Sequence, residues 1–266
     1  MRYSWNIRLF QRAGYAWLGL YLVSVLVLGS DAWTNAPVPL LLSRTGPVAA
    51  AAHVLDALPA AVCAVLCAVT AGCCALLLRR HRWWLGLLVW FLYRVIDHRM
   101  WLASNGGVQL MGTMLLWAAL MGDDVQVHVR SFAFWAARLQ LMLAYAGAAA
   151  HKFTGTTWRD GSAFLRVAHD PLFHLHWLAA SPLLCTVITY AVFAWMTLFP
   201  LAVWWIPSRR VVLLVGIAFH LATAVFIGIP QMGLAFIACY ALWWPREVSV
   251  VPLDHIGPGR MRERLR

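Results

Sequence analysis

Long apolar runs follow one another along most of this chain, separated by short polar or basic stretches. A helix needs about 20 residues to cross the hydrocarbon core of a bilayer, so the runs predict about eight transmembrane helices. A seven-span alternative stays open, because the fourth and eighth runs are short and the third is polar in its second half. The predicted spans are roughly 13–29, 58–78, a third beginning at residue 83, 107–122, 131–150, 183–206, 211–229 and 232–244.

Composition supports this pattern. Hydrophobic residues make up 62% of the chain and charged residues only 12%, whereas a soluble domain carries about 25% charged residues. The first apolar run is too long for a cleavable signal peptide and lacks a small-residue cleavage site. The sequence therefore predicts an all-α fold, a polytopic membrane helical bundle over residues 1–245 with a short basic cytoplasmic tail over 246–266.

The distribution of positive charge predicts orientation. With eight spans, 14 basic residues fall on the side of the termini and six on the opposite side, which places both termini in the cytoplasm. Enrichment in Ala, Arg, Leu, Val, Gly and Trp indicates a GC-rich bacterial genome and hence the bacterial inner membrane. Because the arginines cluster between apolar runs, we expect membrane lipid and no nucleic acid as a partner.

Cysteine and histidine patterns give little support to redox or metal chemistry. The six cysteines form no C-x-x-C pair, so a thiol oxidoreductase is not expected and most read as small apolar helix residues. Four histidines lie near the polar connector of about 30 residues after the fifth span. They lack a helical i,i+4 pair, so no metal site is predicted. These histidines are His151, His169, His174 and His176.

Ionisable residues inside predicted spans are the first candidates for function, because burying charge in a membrane is costly. In the segment YRVIDHR, Arg94, Asp97 and His98 share one helical face. They are candidates for lining a substrate or cofactor pocket. The alternative is a self-neutralising ion pair near the membrane interface.

The fifth span carries a second polar group, formed by Arg138, Gln140 and Tyr145. Arg138 and Tyr145 are seven residues apart and share a face that must point into the bundle. We expect this face and the YRVIDHR face to line one cavity, with hydrogen bonding between helices as the alternative. His220 stands alone in the seventh span, where it is a further pocket candidate or, as the simpler reading, a core histidine with one hydrogen bond.

Lysine is nearly absent: of the 21 basic residues other than histidine, 20 are arginine and only Lys152 is lysine. Codon bias explains the arginines. A lysine can lose its proton where arginine cannot, so Lys152 is also the candidate for a catalytic base.

One segment, RLQLMLAYAGAAAHKFTGTTWRDGSAFLR, resembles the signature of the horizontally transferred transmembrane (HTTM) family, whose membrane domain is shared with vitamin K-dependent gamma-carboxylase. Two flanking segments are similar to the family's Asn-Gly-Gly segment and closing helix pair; they are SNGGVQLMGTMLLWAALM and AFHLATAVFIGIPQMGLAFIACYALWWP. The residues that match the signature are, in chain order, Arg138, Gln140, Tyr145, Lys152, Gly155, Trp158 and Gly161.

The resemblance implies that Lys152 is the base that deprotonates a reduced quinone of the vitamin K type, and that Arg138, Gln140, Tyr145 and Trp158 shape its pocket. Burial would lower the pKa of the lysine, and Arg138 would lower it further if the two are close. The chain departs from the carboxylase in lacking its β-rich domain. It also carries Gly106 and Gly107 where a histidine is expected. Its length is closer to the sporulation-delaying-toxin maturation type.

Three functions follow as alternatives. The first is a membrane enzyme, carboxylase-like or peptide-modifying, that uses Lys152 on a quinone-type lipid or to mature an exported, operon-encoded peptide. The second is a non-catalytic accessory subunit that binds a lipid, quinone or peptide for a partner subunit. The third is a DoxX-like quinone-linked subunit.

Overall fold

The computed structural model describes residues 4–28, 50, 54, 59–99, 104–173 and 175–245. Within these ranges the fold is all-α, with ten α-helices and a 3-10 helix over His176–Ala180. The basic tail predicted over 246–266 lies outside the described residues. The α-helices are α1 (Ser4–Leu28), α2 (Ala60–Arg79), α3 (Trp83–Arg99), α4 (Gly106–Leu120), α5 (Val127–Thr154), α6 (Thr156–Arg159), α7 (Ala163–His169), α8 (Pro182–Ala202), α9 (Ile206–Phe226) and α10 (Pro230–Tyr240).

Three of these helices, α2, α8 and α9, are long and apolar enough to cross a membrane. A fourth, α4, is apolar but only 15 residues long. The prediction of an all-α chain is confirmed, and it contains three long helices that could span a membrane. The eighth predicted span contains the 11-residue α10, which rises only about 16 Å at 1.5 Å per residue.

The first helix begins at Ser4 and not at residue 13, where the first apolar run begins. Its polar first half is stabilised by carbonyls that the sequence pattern cannot show. The Asn6 side-chain amide donates to Ala241 O at 2.8 Å, and the Gln11 amide donates to Ala118 O at 2.9 Å. Both side chains are buried, so two polar residues that look like a water-exposed approach belong to the packed bundle.

The boundary between α8 and α9 also differs from the sequence pattern. The sixth predicted span reaches residue 206 and the seventh starts at 211, but α8 ends at Ala202 and α9 begins at Ile206. Arg209 lies in the first turns of α9, where its guanidinium donates to the carbonyls of Val203 (2.9 Å) and Trp204 (3.2 Å). Those bonds satisfy carbonyls just after the end of α8, and they stabilise the tight connection between the two helices.

The helices run between two ends of the molecule. Arg8 in α1, Arg79 at the end of α2 and Asp123 after α4 border one pocket, so these points share one end, here called the basic end. The Asn6–Ala241 bond brings the end of α10 to it. At the opposite end, here called the connector end, the Trp177 ring lies 6.3 Å from the Phe226 ring at the end of α9. Successive long helices therefore alternate in direction.

The connector, residues 155–181 between α5 and α8, is largely helical and not an open loop. It contains α6, α7 and the 3-10 helix. Four buried side chains give it a small core of its own against the start of α8; they are Ala168, Leu175, Leu178 and Cys185.

Candidate functional site

One face of α5 carries three residues at seven-residue spacing, Arg138, Tyr145 and Lys152. Seven residues are almost two full turns, so these side chains project from nearly the same side of the helix. Arg138 and Tyr145 are buried, and Lys152 is partly buried at the connector end. The face shared by these residues therefore points into the molecule along most of its length. Gln140 lies partly buried on the same helix.

Arg138 is held by the last turn of the described chain. Its Nε and Nη2 donate to the Leu242 carbonyl at 3.0 and 2.7 Å. The guanidinium carbon lies 4.4 Å from the Phe134 ring centroid and 4.3 Å from that of Trp243. The aromatic faces and the carbonyl stabilise a charge that would otherwise be costly to bury. In this arrangement Arg138 joins α5 to the turn after α10.

Tyr145 lies at the centre of a buried hydrogen-bonded group with His220 and Tyr240. Its hydroxyl is 2.6 Å from His220 Nε2 and makes a short hydrogen bond with the Tyr240 hydroxyl. His220 stacks on Phe236 with ring centroids 4.6 Å apart, and its Nδ1 has no partner among the described residues. His220 thus has the geometry expected of a core histidine with one hydrogen bond. The group links α5, α9 and α10.

Lys152 lies two residues beyond the predicted fifth span, in the last turn of α5. Its ammonium nitrogen is 4.5 Å from the centroid of the Trp158 ring. No carboxylate of the described residues forms an ion pair with it. Burial lowers the pKa of the Lys152 amine from its ordinary value, because desolvation disfavours the charged form.

The turn that carries Trp158 is fixed by Gly161. This glycine has a φ of +80°, a left-handed conformation that glycine adopts without steric cost. A Cβ at Gly161 would lie 2.8 Å from Thr186 Cγ2 on α8. The Tyr190 hydroxyl donates to the Arg159 carbonyl at 2.9 Å, so α8 holds both sides of this turn. The Trp-x-x-Gly part of the signature therefore has a structural reason here.

Arg94 and Asp97 form an ion pair within α3, with Nη1 and Oδ2 2.9 Å apart. The Asp97 side chain is buried, and the Arg94 guanidinium lies against Gly112 of α4. The side chain of His98 lies outside the described residues. The ion-pair alternative describes this geometry, because each charge is compensated by its neighbour one turn away.

The polar candidates that the sequence groups together have different partners. Arg94 lies against Gly112 of α4, whereas Tyr145 bonds to His220 of α9 and Tyr240 of α10. Arg138 was expected to lower the Lys152 pKa only if the two were close, and that condition is not met, because they are about 21 Å apart along α5 at 1.5 Å per residue. That distance exceeds the screening length of physiological salt. Burial accounts for the lowered pKa.

Two polar partners were missed by the sequence analysis, the Tyr240 hydroxyl and the Leu242 carbonyl. Tyr240 lies at the end of an apolar helix, where tyrosine is typical of the membrane interface. The Leu242 carbonyl belongs to the backbone, so no residue type indicates it. Each pairs with a residue on α5 about a hundred positions away in the chain. Only the tertiary arrangement of α5 and α10 identifies them.

An apolar groove of about 770 Å³ lies between α1 and α10. Its polar features are few, and one of them is Trp17, whose indole donates to the Gln231 carbonyl at 2.9 Å. Neither Lys152 nor Trp158 lines the groove. In the described part of the chain no three histidine, cysteine or acidic residues group closely enough to hold a metal ion, and His174 lies outside it.

Comparisons with protein-family profiles, with curated proteins and with solved structures found no match to this chain. The resemblance to the HTTM family therefore stays a prediction, which rests on the residues of the motif. What the structure adds is their geometry: a stripe on α5, a partly buried lysine beside an indole, and a glycine-dependent turn behind that indole.

Proposed function

We propose that this chain is an integral membrane protein of the bacterial inner membrane whose main helices cross the bilayer about eight times, with both termini cytoplasmic. Three apolar helices long enough to span, the alternating helix directions and the excess of arginine at the basic end support this arrangement. The connector then lies at the external face. Lys152 is placed there, at the level of the membrane interface.

Within that arrangement Lys152 acts as a general base. The observation that carries this proposal is the partly buried amine over the Trp158 ring, with no carboxylate partner in the described residues and a lowered pKa. A base works best when its pKa lies near the working pH, and desolvation moves a lysine in that direction. Arginine cannot serve, since its guanidinium stays protonated.

The neighbouring residues fit a flat, apolar substrate with an acidic hydroxyl group. The Trp158 indole offers an aromatic face beside the amine, and Gly161 fixes the turn that holds the indole. A reduced quinone of the vitamin K type supplies such a hydroxyl when it is bound. The Lys152 amine accepts the hydroxyl proton and becomes an ammonium, which the indole face stabilises. The family resemblance supports the quinone and adds an exported peptide as the downstream substrate.

The test measures oxygen uptake with menadiol, using purified protein in phosphatidylcholine nanodiscs. A deprotonated hydroquinone reacts with dioxygen faster than its neutral form, so a protein base raises uptake above the protein-free rate. We expect Lys152→Arg to lower uptake to the protein-free rate, and wild-type uptake to rise with pH as the lysine loses its proton. Arg166→Gln, an exposed residue on α7, is the matched control and keeps wild-type uptake.

Wild-type uptake that Lys152→Arg leaves unchanged would overturn the base role, because the variant keeps the charge but cannot be deprotonated to a neutral base. Uptake at the protein-free rate in wild type would overturn quinone as the substrate class.

A non-catalytic binding subunit is the second candidate, favoured by the apolar groove between α1 and α10. The groove has room for an acyl or isoprenoid chain and lies apart from Lys152. In this alternative the signature serves packing, so Lys152→Arg is tolerated while Trp158→Ala lowers thermal stability. The two candidates therefore differ in which of the two variants changes the protein.

A further inference from the structure

A second pocket, of about 330 Å³, lies at the basic end, well away from Lys152. It is formed by the start of α1, the turn between α2 and α3, and the loop after α4. His81 contributes a polar wall, with its Nε2 3.3 Å from the Tyr15 hydroxyl. The charged groups that border the pocket are Arg8, Arg12, Arg79, Arg80, Arg82, Asp123 and Asp124.

Positive charge exceeds negative charge in this pocket, with five arginines against two aspartates. The two carboxylates already have partners. Asp124 lies 4.0 Å from Arg82, and Asp123 lies 2.8 Å from Arg130, which is not part of the lining. The four remaining arginines form no ion pair within the described part of the chain.

The pocket lies where an anionic headgroup would be. Helix α2, which is long and apolar enough to span a membrane, ends at Arg79. The exposed indoles of Trp83 and Trp84 follow directly, at 39% and 56% exposure. Exposed tryptophans of this kind are typical of the membrane–water boundary. Arginine forks from α1 and from the turn after α2 match the geometry of phosphate oxygens.

We propose that this basic pocket binds a phosphate-bearing anion, supplied by an anionic phospholipid headgroup or by a soluble phosphate. Arg79 at the end of α2 and Arg80 just after it bind the anion from one side, and Arg8 and Arg12 bind it from α1. Asp124 opposes it and sets an upper limit on affinity. Basic pockets between helices on the cytoplasmic side of a membrane protein suit such headgroups. This site is independent of the proposed role of Lys152.

The experiment titrates the full-length protein in dodecyl maltoside with dihexanoyl phosphatidylglycerol, and separately with inorganic phosphate, by calorimetry. Dihexanoyl phosphatidylcholine is the zwitterionic reference. We expect Arg79→Gln/Arg80→Gln to weaken phosphatidylglycerol binding about tenfold or more, as loss of charged hydrogen bonds does. The matched control, Arg159→Gln/Arg166→Gln, removes two arginines from the connector and changes affinity by less than about twofold.

A variant that is expected to tighten binding keeps the proposal testable if the double variant fails to fold. Asp124→Asn removes an opposing charge and frees Arg82, so it should tighten phosphatidylglycerol binding. Inorganic phosphate that displaces the lipid identifies soluble phosphate as a second source. Lipid binding without phosphate binding assigns the pocket to headgroups.

Equal binding of phosphatidylcholine, equal losses in the pocket and control variants, or weaker binding by Asp124→Asn would each overturn the proposal. A failure here leaves the Lys152 assay unaffected, because that assay uses phosphatidylcholine nanodiscs and a different end of the molecule.

Discussion

Lys152 is a partly buried amine, and its protonated form destabilises the folded state because the charge is partly desolvated. Its pKa is lowered on folding from its ordinary value of 10.5. Between the lowered value and 10.5 the unfolded chain binds more protons than the folded chain, so the free energy of unfolding rises with pH in that window. Below the window both states carry the proton and the stability is at its lower plateau.

We predict that Lys152→Met abolishes the part of this rise that belongs to the lysine. Thermal unfolding of the detergent-solubilised protein, measured from pH 7 to 11, checks it. The difference in melting temperature between variant and wild type should shrink as pH increases. Two curves that stay parallel over this range would contradict a folded-state shift at Lys152.

Gly216 brings α9 close to the Tyr240 hydroxyl, which is part of the buried group with Tyr145 and His220. A Cβ at Gly216 would overlap that hydroxyl. We predict that Gly216→Ala destabilises the protein by about 1–3 kcal/mol, the usual cost of overpacking a core. The measurement is the free energy of unfolding in detergent.

Gly147 on α5 provides the matched control, because no atom lies within 4 Å of a Cβ built there. Gly147→Ala should be neutral or stabilising by up to about 1 kcal/mol, since glycine weakens a helix interior. Equal destabilisation by the two substitutions would show that the loss comes from the helix and not from Tyr240.

Single residues were predictable where chemistry forces an orientation. A charged Arg138 inside an apolar run has to point inward, and it does. The sequence could not identify what compensates the charge, because the Leu242 carbonyl and the aromatic faces of Phe134 and Trp243 come from distant or apolar positions. The same limit hid Tyr240. The burial of Arg138 could be predicted from its place in an apolar run, whereas its hydrogen-bond and aromatic partners depend on how the helices pack.

At the scale of elements, the turn between α6 and α7 depends on Gly161. Two penalties meet there, a positive φ and contact with Thr186. We predict that Gly161→Ala destabilises the connector by about 2–5 kcal/mol, the sum of left-handed backbone strain and overpacking. Hydrogen exchange should increase in α6 and α7 more than in α2.

Gly228 separates the two penalties. It has a φ of +74°, but nothing lies within 4 Å of its Cβ position. Gly228→Ala should therefore cost only the strain, about 1–2 kcal/mol. If Gly228→Ala costs as much as Gly161→Ala, the contact with α8 contributes nothing to the connector.

Element boundaries were predictable where apolar runs end in breakers, and less so where polar residues continue a helix. Pro182 and Pro230 each start a helix close to the predicted position. The early start of α1 was missed because Asn6 and Gln11 resemble exposed residues when their carbonyl partners are unknown. Arg209 was read as part of a loop because its bonds to the nearby carbonyls of Val203 and Trp204 have no signal in the apolar pattern.

At the scale of the whole molecule, the proposed topology makes opposite predictions for two segments. Alkaline phosphatase is active only outside the cytoplasm. Inserted after Asp170 in the connector it should be active, and inserted after Asp124 at the basic end it should be inactive. Phosphatase activity of whole cells, normalised to expression, is the measurement.

The same activity at both positions would contradict an odd number of crossings between them. In that case α5, which joins the two segments, does not cross the membrane, and the eight-span arrangement fails.

The all-α fold class with long apolar helices was predictable, because the apolar excess and the placement of the arginines are properties of the chain as a whole. The arrangement of the helices was not. Pairing of α4 with α10 depends on close approach at Gly107, and pairing of α9 with α10 depends on close approach at Gly233, which composition does not encode.

The bond between Arg138 and Leu242 also has a consequence for biosynthesis, because the two partners are synthesised at different times. The two residues are 104 positions apart, so at about 5–20 residues per second the ribosome needs about 5–20 seconds to pass from one to the other. Throughout that interval α5 carries a guanidinium whose final carbonyl partner does not yet exist. We expect α5 of a nascent chain to reach its final packing only after α9 and α10 have been synthesised. We expect chains truncated before Leu242 to be degraded by membrane proteases.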